Sequence, residues 1–588
     1  MTAPDTATSF YTGCPGDLRF GPAAPIEPTT LDVLLHRTVT GGGGRPAVVG
    51  DGGTLSYAEL DRRSSAVARY LRAQGIGTGD RVVVLAHRCG WLPVVAVGVI
   101  RAGAVYVPVD ASYPPERVRF ILEDCDPAAA FALGGASLPA ATDLATPPVG
   151  GTVTDDSPLG RAFLSEDGPG FRPGDLSRPV LPTDDCYLIY TSGTTGTPKG
   201  ALNTHLGVCA HLQWMGRVLR ETGDTADTGD SGEIRMLQKA PVSFDVGVAE
   251  LLGPLSTGGT TVVPGPDWWP GDVDAMVEMI SCHGVTVLSM VPSLMRVLLD
   301  VLDDIGTPLS SLSGIRHLLL GGEAVPADVV RRARDGIGCR VHGLYGPTEA
   351  AMDVTWVEYT DALVGAPDFD DRASLLGLPE DNVGVYVIDE DGDEVDPASD
   401  RWDRPGELCV SGPQVGNGYA GRPELTDEVF VDSPRPDVDG GRMYRTGDIV
   451  AWTEVDGTRL LQFLGRIGDQ VKIRGNRVEL GEVESRLRDL DGVRMAAAVA
   501  DDTGTLVAFV VGTGAGAGAG VSAGVSAGVS AGVSAGVDVA ELSARLARQV
   551  PEYMVPSRIL ELNALPVSPN GKLDRAALKA LAGGPGGP

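Results

Sequence analysis

The residues best suited to chemistry lie in the segment YLIYTSGTTGTPKG, residues 187–200. An apolar stretch at 187–190 leads into a loop that holds three glycines, five Ser or Thr hydroxyls and Lys199. Backbone N–H groups and hydroxyls in such a loop can surround phosphate oxygens, and glycine allows the backbone to approach them closely. The segment therefore predicts a buried strand followed by a loop that binds a triphosphate.

Two well-known nucleotide-binding loops do not account for this segment. A Walker A loop counted from Gly193 needs a second glycine where Pro198 stands. No G-x-G-x-x-G sequence opens a βαβ unit in this chain. The remaining alternative is a Gly/Ser/Thr turn without a ligand, which a pattern of this length disfavours.

The turn YGPTE at 345–349 offers three groups that suit a nucleotide. The ring of Tyr345 has a face for stacking, Thr348 has a hydroxyl, and Glu349 has the hard oxygen atoms that Mg²⁺ on a phosphate prefers. A solvated surface charge is the alternative for Glu349. Its place on a turn between two Gly/Pro-punctuated elements favours the role of metal ligand.

Two more polar residues lie in short turns. Asp448 ends the sequence YRTGD, and a carboxylate can accept both hydrogen bonds of a ribose diol. Its alternative role is to cap a turn after Gly447. Lys572 lies in SPNGKL near the C-terminus, where a lysine is ordinarily a solvated surface charge. The residue types alone leave these alternatives open.

The elements that position these turns alternate between strand and helix. Short β-rich apolar runs occur at 81–86, 104–109, 285–291 and 317–322. Residues 55–75 have apolar side chains at helical spacing. This alternation indicates α/β layers. The Gly-, Pro- and Asp-rich stretches 135–183 and 221–233 are predicted to be connections.

The chain changes character near residue 468, and we predict two domains, 1–467 and 468–588. The second begins with a basic strand, QVKIRGNRVEL, which an amphipathic helix follows. An Ala/Gly tract with a four-fold V-S-A-G repeat then forms a low-complexity insertion at about 512–537, since such small residues bury too little surface to offset ordering. A final helix and strand complete the predicted domain.

Composition and charge exclude several functions. The 588 residues include 47 basic and 78 acidic side chains, a formal net charge of −31, without a long Lys/Arg run. This field repels phosphate backbones and anionic lipids, so we expect no nucleic-acid partner and no membrane partner. The N-terminus lacks a secretory signal, and proline and arginine interrupt the most apolar stretch, 91–109. Eight scattered cysteines are typical of reduced thiols, so a soluble, cytoplasmic protein is predicted.

Taken together, these motifs resemble those of the ANL superfamily of adenylate-forming enzymes, in particular the adenylation domains of nonribosomal peptide synthetases. The resemblance extends from residue 30 or so to residue 575. Further matching segments, in chain order, are LSYAEL (55–60), RAGAVYVPVD (101–110), SFDVGVAE (243–250), GELCVSGPQVGNGYAGRPELT (406–426), FLGRIGDQVKIRGNRVELGEVE (463–484), VPEYMVP (550–556) and NGKLDR (570–575). The family implies an α/β fold with a large N-terminal domain of layered β-sheets and helices and a small, mobile C-terminal α+β domain.

The resemblance implies that the motifs bind ATP and Mg²⁺. It assigns adenine stacking to Tyr345, Mg²⁺ to Glu349 and the ribose hydroxyls to Asp448. Arg466 is implied as a phosphate contact and catalytic residue. Lys572 is implied to neutralise the charge that develops while the substrate carboxylate attacks the α-phosphorus. The other implied nucleotide contacts are Thr191, Ser192, Gly193, Thr194, Thr195, Gly196, Lys199, Gly343, Gly346 and Thr348.

Two glycines depart from the family pattern. Gly343 stands where many relatives have an asparagine that contacts adenine, so we expect the backbone to make that contact. Gly468 stands at the hinge of the small domain, where relatives commonly have aspartate. Glycine can absorb large changes in φ and ψ, so hinge motion is still expected, without a carboxylate at this position.

The resemblance places substrate recognition at Asp245, which family members that act on α-amino acids pair with the substrate ammonium. A lone buried carboxylate is costly until a cation arrives, which favours an amino acid over a simple carboxylic acid. The other implied pocket residues are Phe244, Val246, Ala249, Ser289, Leu319, Gly321, Leu344, Met352 and Asp353. Ala249 and Gly321 leave room, and Asp353 adds a second carboxylate. We therefore predict a polar or basic side chain, such as ornithine, arginine, a diamino acid or a hydroxylated residue.

The predicted enzyme is a ligase that converts ATP and an amino acid into aminoacyl-AMP and pyrophosphate. The aminoacyl group then passes to the phosphopantetheine thiol of a peptidyl carrier protein. The sequence has no condensation-type HHxxxDG and no carrier-type Gly-x-Ser after Arg575, which predicts a freestanding enzyme with its carrier in trans. Whether a small MbtH-like protein is a further partner stays open, and the seven histidines are predicted to be structural.

Two alternatives to this function are kept. An acyl- or aryl-CoA ligase of the same superfamily is disfavoured by Asp245, which such relatives lack. A non-catalytic nucleotide-binding scaffold is disfavoured because Lys572, Glu349 and Asp448 are all present.

Overall fold

The computed structural model describes residues 16–50, 52–139, 149–165, 170–193, 197–220, 233–370, 374–468, 470–501, 504–513, 538–566 and 573–583. The chain divides into two compact units. The first takes the described residues within 1–111, 122–190 and 200–467, and the second those within 112–121, 191–199 and 468–588. The last boundary falls between Ile467 and Gly468.

A fourteen-stranded sheet runs through the first unit. Its strands, in spatial order, are β16 (Gly384–Ile388), β17 (Gly406–Ser411), β20 (Arg442–Val455), β21 (Thr458–Arg466), β15 (Leu375–Pro379), β14 (Thr355–Glu358), β13 (Arg340–Tyr345), β12 (His317–Gly321), β11 (Val287–Met290), β9 (Arg235–Leu237), β10 (Thr260–Val263), β1 (Pro46–Gly50) and β2 (Gly53–Ser56), with β19 (Phe430–Asp432) beside β20. The strands from β13 to β1 are parallel. They are short and apolar because helices and loops cover both of their faces.

A second, seven-stranded sheet holds the strand that precedes the predicted phosphate-binding loop. Its order is β18 (Gly418–Tyr419), β8 (Lys199–Thr204), β7 (Asp185–Thr191), β4 (Val105–Asp110), β3 (Arg81–Ala86), β5 (Ala129–Leu133) and β6 (Val149–Thr152). The five strands from β7 to β6 are parallel. The apolar stretch predicted as a strand at 187–190 is therefore the buried centre of β7.

Helices cover the sheets of the first unit. They are α1 (Leu31–Gly41), α2 (Tyr57–Ala73), α3 (Trp91–Arg101), α5 (Pro158–Leu164), α6 (His205–Val218), α7 (Asp245–Thr257), α8 (Val273–His283), α9 (Pro292–Asp304), α10 (Ala327–Ile337), α11 (Asp361–Gly365), α12 (Pro423–Val429) and α13 (Pro436–Asp439), while α4 (Pro115–Cys125) crosses a boundary between the units. A capping box starts α2, since Ser56 and Glu59 each accept a hydrogen bond from the other's backbone N–H. Leu35, Leu60 and Leu212 are fully buried in the largest core cluster.

The second unit is α+β. Its elements after residue 468 are β22 (Gln470–Ile473), β23 (Asn476–Glu479), α14 (Leu480–Arg488), β24 (Val493–Ala500), β25 (Leu506–Gly512), α15 (Val539–Leu546), β26 (Arg558–Glu561) and α16 (Arg575–Ala582). β24 and β25 pair antiparallel, and β26 joins β25 in parallel. Val483 and Leu487 bury the apolar face of α14 in the core of this unit.

The α/β prediction is confirmed, but three local predictions were wrong. The segment QVKIRGNRVEL is a hairpin of β22 and β23, because Arg474 and Gly475 take positive φ values of 50° and 77°, as a tight hairpin turn requires. Strand β6 and helix α5 lie within the predicted connection 135–183. A last helix, α16, follows the final strand. Most of the predicted low-complexity insertion, 514–537, lies outside the described residues.

The structure also bears on the membrane and cysteine predictions. Among the described helices, none has both the length and the apolar content that a bilayer crossing needs. The seven described cysteines are free thiols, and Cys282 is the exposed one among them.

Candidate active site

The carboxylate of Asp245 is fixed at the first turn of α7. Its Oδ1 accepts a hydrogen bond from the backbone N–H of Val246 over 2.7 Å. One turn later, buried Glu250 accepts the backbone N–H groups of Lys239 and Ala240 over 2.8 and 2.7 Å. These bonds tie the loop that precedes the helix to the helix itself. The backbone around Asp245 is thus held by hydrogen bonds on both sides.

The environment of Asp245 disfavours its charged form. Burial raises the pKa of the carboxyl above its ordinary value, and the negative charge of Glu349 acts in the same direction. The Thr348 side chain and the hydrogen bond from the Val246 N–H act against that rise. A cationic partner would stabilise the carboxylate.

Four of the predicted pocket residues lie on one face of the large sheet. Ser289 of β11 pairs with Leu319 of β12, and Gly321 of β12 pairs with Leu344 of β13. Paired residues in neighbouring strands point to the same side of a sheet, and so do residues two apart on one strand. The structure therefore brings these four residues together.

Two further pocket residues follow a kinked turn. Ala351 and Met352 both have positive φ values, 49° and 83°, and Asp353 comes next. A Cβ atom on Gly346 would lie 1.8 Å from the carbonyl oxygen of Met352. Only glycine allows this approach, which holds the residues after the YGPTE turn against the turn itself.

Side chains from distant segments hold the YGPTE turn. Asn203 donates to the carbonyl oxygen of Thr348 over 2.8 Å and accepts from the N–H of Ala351 over 2.9 Å. Glu349 is fully buried, and its Oε1 accepts a hydrogen bond from the Tyr419 hydroxyl over 2.6 Å. The predicted metal ligand is therefore a positioned carboxylate and not a solvated surface charge.

The predicted adenine and ribose contacts meet at one carboxylate. The Tyr345 hydroxyl donates to Oδ2 of Asp448 over 2.5 Å, and Arg466 Nη1 donates to Oδ1 over 2.6 Å. The backbone N–H of Asp448 donates to Oγ1 of Thr446. Burial and the Asp448 charge raise the pKa of Tyr345 well above its usual range. The structure thus joins Tyr345, Asp448 and Arg466 in one cluster.

Gly343 lies on the opposite side of β13 from the pocket. A Cβ atom there would lie 2.9 Å from the Tyr359 hydroxyl and from the side chain of Val357. An asparagine at this position would have to displace those groups. The departure from the family pattern therefore has a local packing cause.

The predicted phosphate-binding loop belongs to the second unit. Ser192 donates to the carbonyl oxygen of Arg477 over 2.9 Å, and the N–H of Gly193 donates to Oε2 of Glu482 over 3.3 Å. Lys199 is largely buried at the start of β8. Thr194, Thr195 and Gly196 lie outside the described residues, as does the predicted catalytic residue Lys572.

Gly193, Asp448 and Glu349 each have atoms that suit ATP or Mg²⁺. The N–H of Gly193 already donates to an anionic oxygen, so it suits a phosphate oxygen. Asp448 is buried and keeps lone pairs that a ribose diol can use. Glu349 supplies one carboxylate, and Mg²⁺ on phosphates takes one or two while it keeps several waters.

The model of the AMP-binding enzyme family matches residues 35–420, about two thirds of the chain. The chain belongs to this family. It is an AMP-forming ligase of the ANL superfamily, and its relatives are adenylation domains of nonribosomal peptide synthetases.

Three similar proteins illustrate the relationship. The adenylating enzyme is 34% identical to tyrocidine synthase 3 of Brevibacillus parabrevis over 93% of its length, but it spans only 8% of that protein. It is 34% identical to novobiocin biosynthesis protein H of Streptomyces niveus, with 95% of the chain and 83% of the relative covered. It is also similar in structure to holo-AB3403, a four-domain nonribosomal peptide synthetase bound to AMP and glycine, at 29% identity and a TM-score of 0.59, with 95% and 37% covered.

Sequence reasoning missed several residues that support the adenylation site. Tyr419 and Gln414 lie in the segment 406–426, which matches the family, but no role was predicted for either. Buried His211 and Glu380 contact each other over 3.1 Å, and Gln414 donates to the carbonyl oxygen of Asp353 over 2.5 Å. Burial raises the pKa of Glu380 well above its usual value and lowers that of His211. These residues join distant segments, so a local pattern could not reveal them.

Proposed function

We propose that this enzyme activates an α-amino acid as aminoacyl-AMP and then transfers it to the phosphopantetheine thiol of a carrier protein. One observation carries the proposal: Thr348 and Glu349 of the YGPTE turn both lie close enough to Asp245 to shift the pKa of its carboxyl. The proposed ammonium-binding carboxylate therefore lies beside the turn that also holds Tyr345. A substrate amine at Asp245 would keep its carboxylate near that turn, as attack on ATP requires.

The proposed reaction has two balanced steps. A carboxylate oxygen of the amino acid bonds to the α-phosphorus of ATP, and the bond from that phosphorus to the bridging oxygen breaks, so pyrophosphate leaves. The carrier's thiolate then bonds to the acyl carbon, and AMP leaves. Mg²⁺ would neutralise charge on the phosphates.

Each predicted residue keeps a role in the proposal. Tyr345 and Asp448 bind the nucleoside, Glu349 binds Mg²⁺ and Arg466 contacts phosphate. Lys572 neutralises the charge that develops on the reacting phosphate oxygens. A positioned charge of this kind is worth about 10²–10³ in rate.

We further propose that the substrate has a polar or basic side chain. Support comes from Asp353, a half-buried carboxylate that follows the kinked turn in the predicted pocket. The relation to peptide synthetases supports a carrier protein as acceptor, which we propose to be a separate chain.

ATP–pyrophosphate exchange with the purified protein tests the function. A panel of proteinogenic and basic nonproteinogenic amino acids should give exchange with one or a few members. Lys572→Ala should lower exchange about 10²-fold or more, whereas Lys579→Ala, an exposed lysine on α16, should not. Exchange with no amino acid would refute amino-acid activation, and transfer to free CoA but not to a carrier would favour the acyl-CoA ligase alternative.

A further inference from the structure

Three buried polar side chains form a hydrogen-bonded network that ends at a predicted pocket residue. Nδ1 of His211, on α6, lies 3.1 Å from Oε2 of Glu380, the residue that follows β15. Nε2 of Gln414, in the loop after β17, donates to the same Oε2 over 3.3 Å and to the carbonyl oxygen of Asp353 over 2.5 Å. His211, Glu380 and Gln414 are each 1% exposed, and together they are the buried polar network.

These contacts set the orientation of the Gln414 amide. Both of its partners are acceptors, and Nε2 is the one atom of the amide that can donate, once through each of its two hydrogens. Replacement of Gln414 by an apolar side chain of similar size would therefore remove a donor from the Asp353 carbonyl and another from Glu380.

The buried polar network holds one end of a strained turn. Ala351 and Met352 have φ values of 49° and 83°, which residues with a Cβ atom adopt at a cost. The N–H of Ala351 donates to Oδ1 of Asn203 over 2.9 Å at the start of the turn, and Gln414 donates to Asp353 at its end. A turn of this kind persists because its surroundings hold it. The position of Asp353 therefore depends on these contacts.

Glu380 is also bound to the same segment through its backbone. Its N–H donates to the carbonyl oxygen of Val354 over 2.9 Å and so continues the pairing of β15 with β14. The main chain of Glu380 thus holds the residue next to Asp353, while its side chain accepts from Gln414. Glu380 links both ends of the donor that reaches Asp353.

Stability alone does not require polar groups at these positions. Buried polar side chains cost free energy unless their atoms are paired. Oε1 of Glu380 and Oε1 of Gln414 are buried and have no hydrogen-bond partner among the described residues. Apolar side chains of similar size would avoid this cost. Incomplete pairing of this kind is expected where a residue serves function more than stability.

Asp353 lies in the electrostatic surroundings of the proposed ammonium-binding carboxylate. Burial lowers the pKa of His211 and raises that of Tyr187 well above its usual range, and the charges of Asp245 and Asp353 act on both groups. The two carboxylates therefore lie near the same two buried side chains. The segment that the buried polar network holds is close to the proposed substrate.

We propose that His211, Glu380 and Gln414 are positioning residues that fix Asp353 for recognition of the polar end of the substrate's side chain. This inference rests on the proposed function and adds the residues that maintain its side-chain selectivity. The buried polar network reaches the backbone of Asp353, so its members act through Asp353. A displacement of about 1 Å at a recognition group costs roughly 10²-fold in rate, so loss of the network should weaken selectivity.

The test measures a selectivity ratio in ATP–pyrophosphate exchange. The ratio compares kcat/KM for the best polar or basic amino acid of the panel with kcat/KM for its analogue that has methyl in place of the terminal polar group, such as ornithine with norleucine or serine with 2-aminobutyrate. It should be about 10²-fold or more, because a site built for a polar group rejects the analogue that lacks it. His211→Leu, Glu380→Leu and Gln414→Leu should each reduce it about tenfold or more, while the KM for ATP stays unchanged.

Two further variants distinguish positioning from folding. Glu380→Gln keeps an oxygen that accepts from Gln414, so it should retain most of the selectivity ratio. Gln213→Leu is the matched control, because Gln213 also lies on α6 and donates to a backbone carbonyl, that of Pro28, over 2.8 Å. Pro28 is not a predicted pocket residue, so this variant should keep the ratio.

The selectivity ratio reports on the folded fraction of each variant, since loss of folded enzyme lowers both rates together. An unchanged ratio in Gln414→Leu and Glu380→Leu, or an equal loss in Gln213→Leu, would overturn this inference. A panel in which only apolar amino acids are accepted would also overturn it and would leave amino-acid activation intact. Absence of exchange with every amino acid would instead refute the proposed function itself.

Discussion

Asp448 and Arg466 stand opposite each other on β20 and β21, and the guanidinium donates to the carboxylate over 2.6 Å. Nη2 of the same arginine donates to the carbonyl oxygen of Thr446 over 2.9 Å. Asp448 therefore holds its position through an ion pair as well as through Tyr345. A carboxylate held from two sides is preorganised to bind a ribose diol without further loss of rotamer freedom.

Asp448→Asn should raise the KM for ATP about tenfold, because an amide accepts through only one of its two terminal atoms. The ratio of kcat/KM for ATP to kcat/KM for 3′-deoxy-ATP, which lacks one ribose hydroxyl, should also be smaller in this variant. Steady-state exchange with both nucleotides measures this. Asp456→Asn, an exposed turn residue between β20 and β21, is the control. An unchanged preference would remove the ribose role of Asp448.

Asp245→Asn should lower kcat/KM for the amino acid about 10²-fold, because the variant loses a charge that pairs with the ammonium. The KM for ATP should change little. Burial raises the pKa of Asp245 in the folded protein. At a pH just above the ordinary pKa of aspartate, the folded state therefore still holds a proton that the unfolded state has already lost. The free energy of unfolding therefore falls as pH rises through that window. At pH 7 the Asp245→Asn variant should have a higher Tm than the unmodified protein.

Calorimetry and ATP–pyrophosphate exchange on the same Asp245→Asn sample check both expectations. A higher Tm with lost exchange is the pattern of a binding carboxylate that is costly without its substrate. An unchanged KM for the amino acid would place ammonium recognition elsewhere.

Motifs with fixed chemistry were predictable, and contacts across the sheet were not. The strand before the predicted phosphate-binding loop and the helical spacing over 55–75 follow from local patterns, and both elements exist as β7 and α2. The hydrogen bonds from Asn203 to Thr348 and Ala351 join residues far apart in sequence. The pocket residues Ser289, Leu319, Gly321 and Leu344 come together through the register of three strands, which no local pattern specifies. The ligand roles of the motif residues remain predictions.

Lowering the pH below 6.5 should destabilise the first unit. His205 is fully buried, and burial lowers its pKa to about 4. Its Nδ1 accepts the N–H of Leu31 over 3.2 Å, so protonation would break that bond. Between pH 4 and 6.5 the unfolded state binds more protons, so the free energy of unfolding falls by up to about 1.4 kcal/mol per pH unit from this residue as pH falls.

His205→Gln should make that pH dependence shallower, since glutamine keeps an acceptor for Leu31 and does not titrate. Urea unfolding at pH 7 and pH 5.5 measures the slope. His283→Gln, at the partly exposed end of α8, should keep the slope of the unmodified protein. Equal slopes in all three proteins would contradict the assignment to His205.

Arg117 and Glu482 form a buried ion pair in the second unit, with Nη1 and Oε1 2.6 Å apart. Arg117 is 4% exposed and Glu482 is fully buried. Arg117→Met should cost about 3–5 kcal/mol of local stability, because it leaves a buried carboxylate without its cation. Hydrogen exchange of the β22–β23 hairpin, which leads into α14, measures the effect.

The double variant Arg117→Met/Glu482→Leu distinguishes an ion pair from two independent contacts. Replacement of both charges by apolar groups of similar size should cost less than Arg117→Met alone, since no buried charge then lacks a partner. In the double variant the Gly193 N–H has lost its anionic acceptor, Glu482. Added ATP should therefore slow the hydrogen exchange of backbone amides near Gly193 more than it does in the unmodified protein. If the stability lost in the double variant equals the sum of the losses in Arg117→Met and Glu482→Leu, the two charges act independently instead.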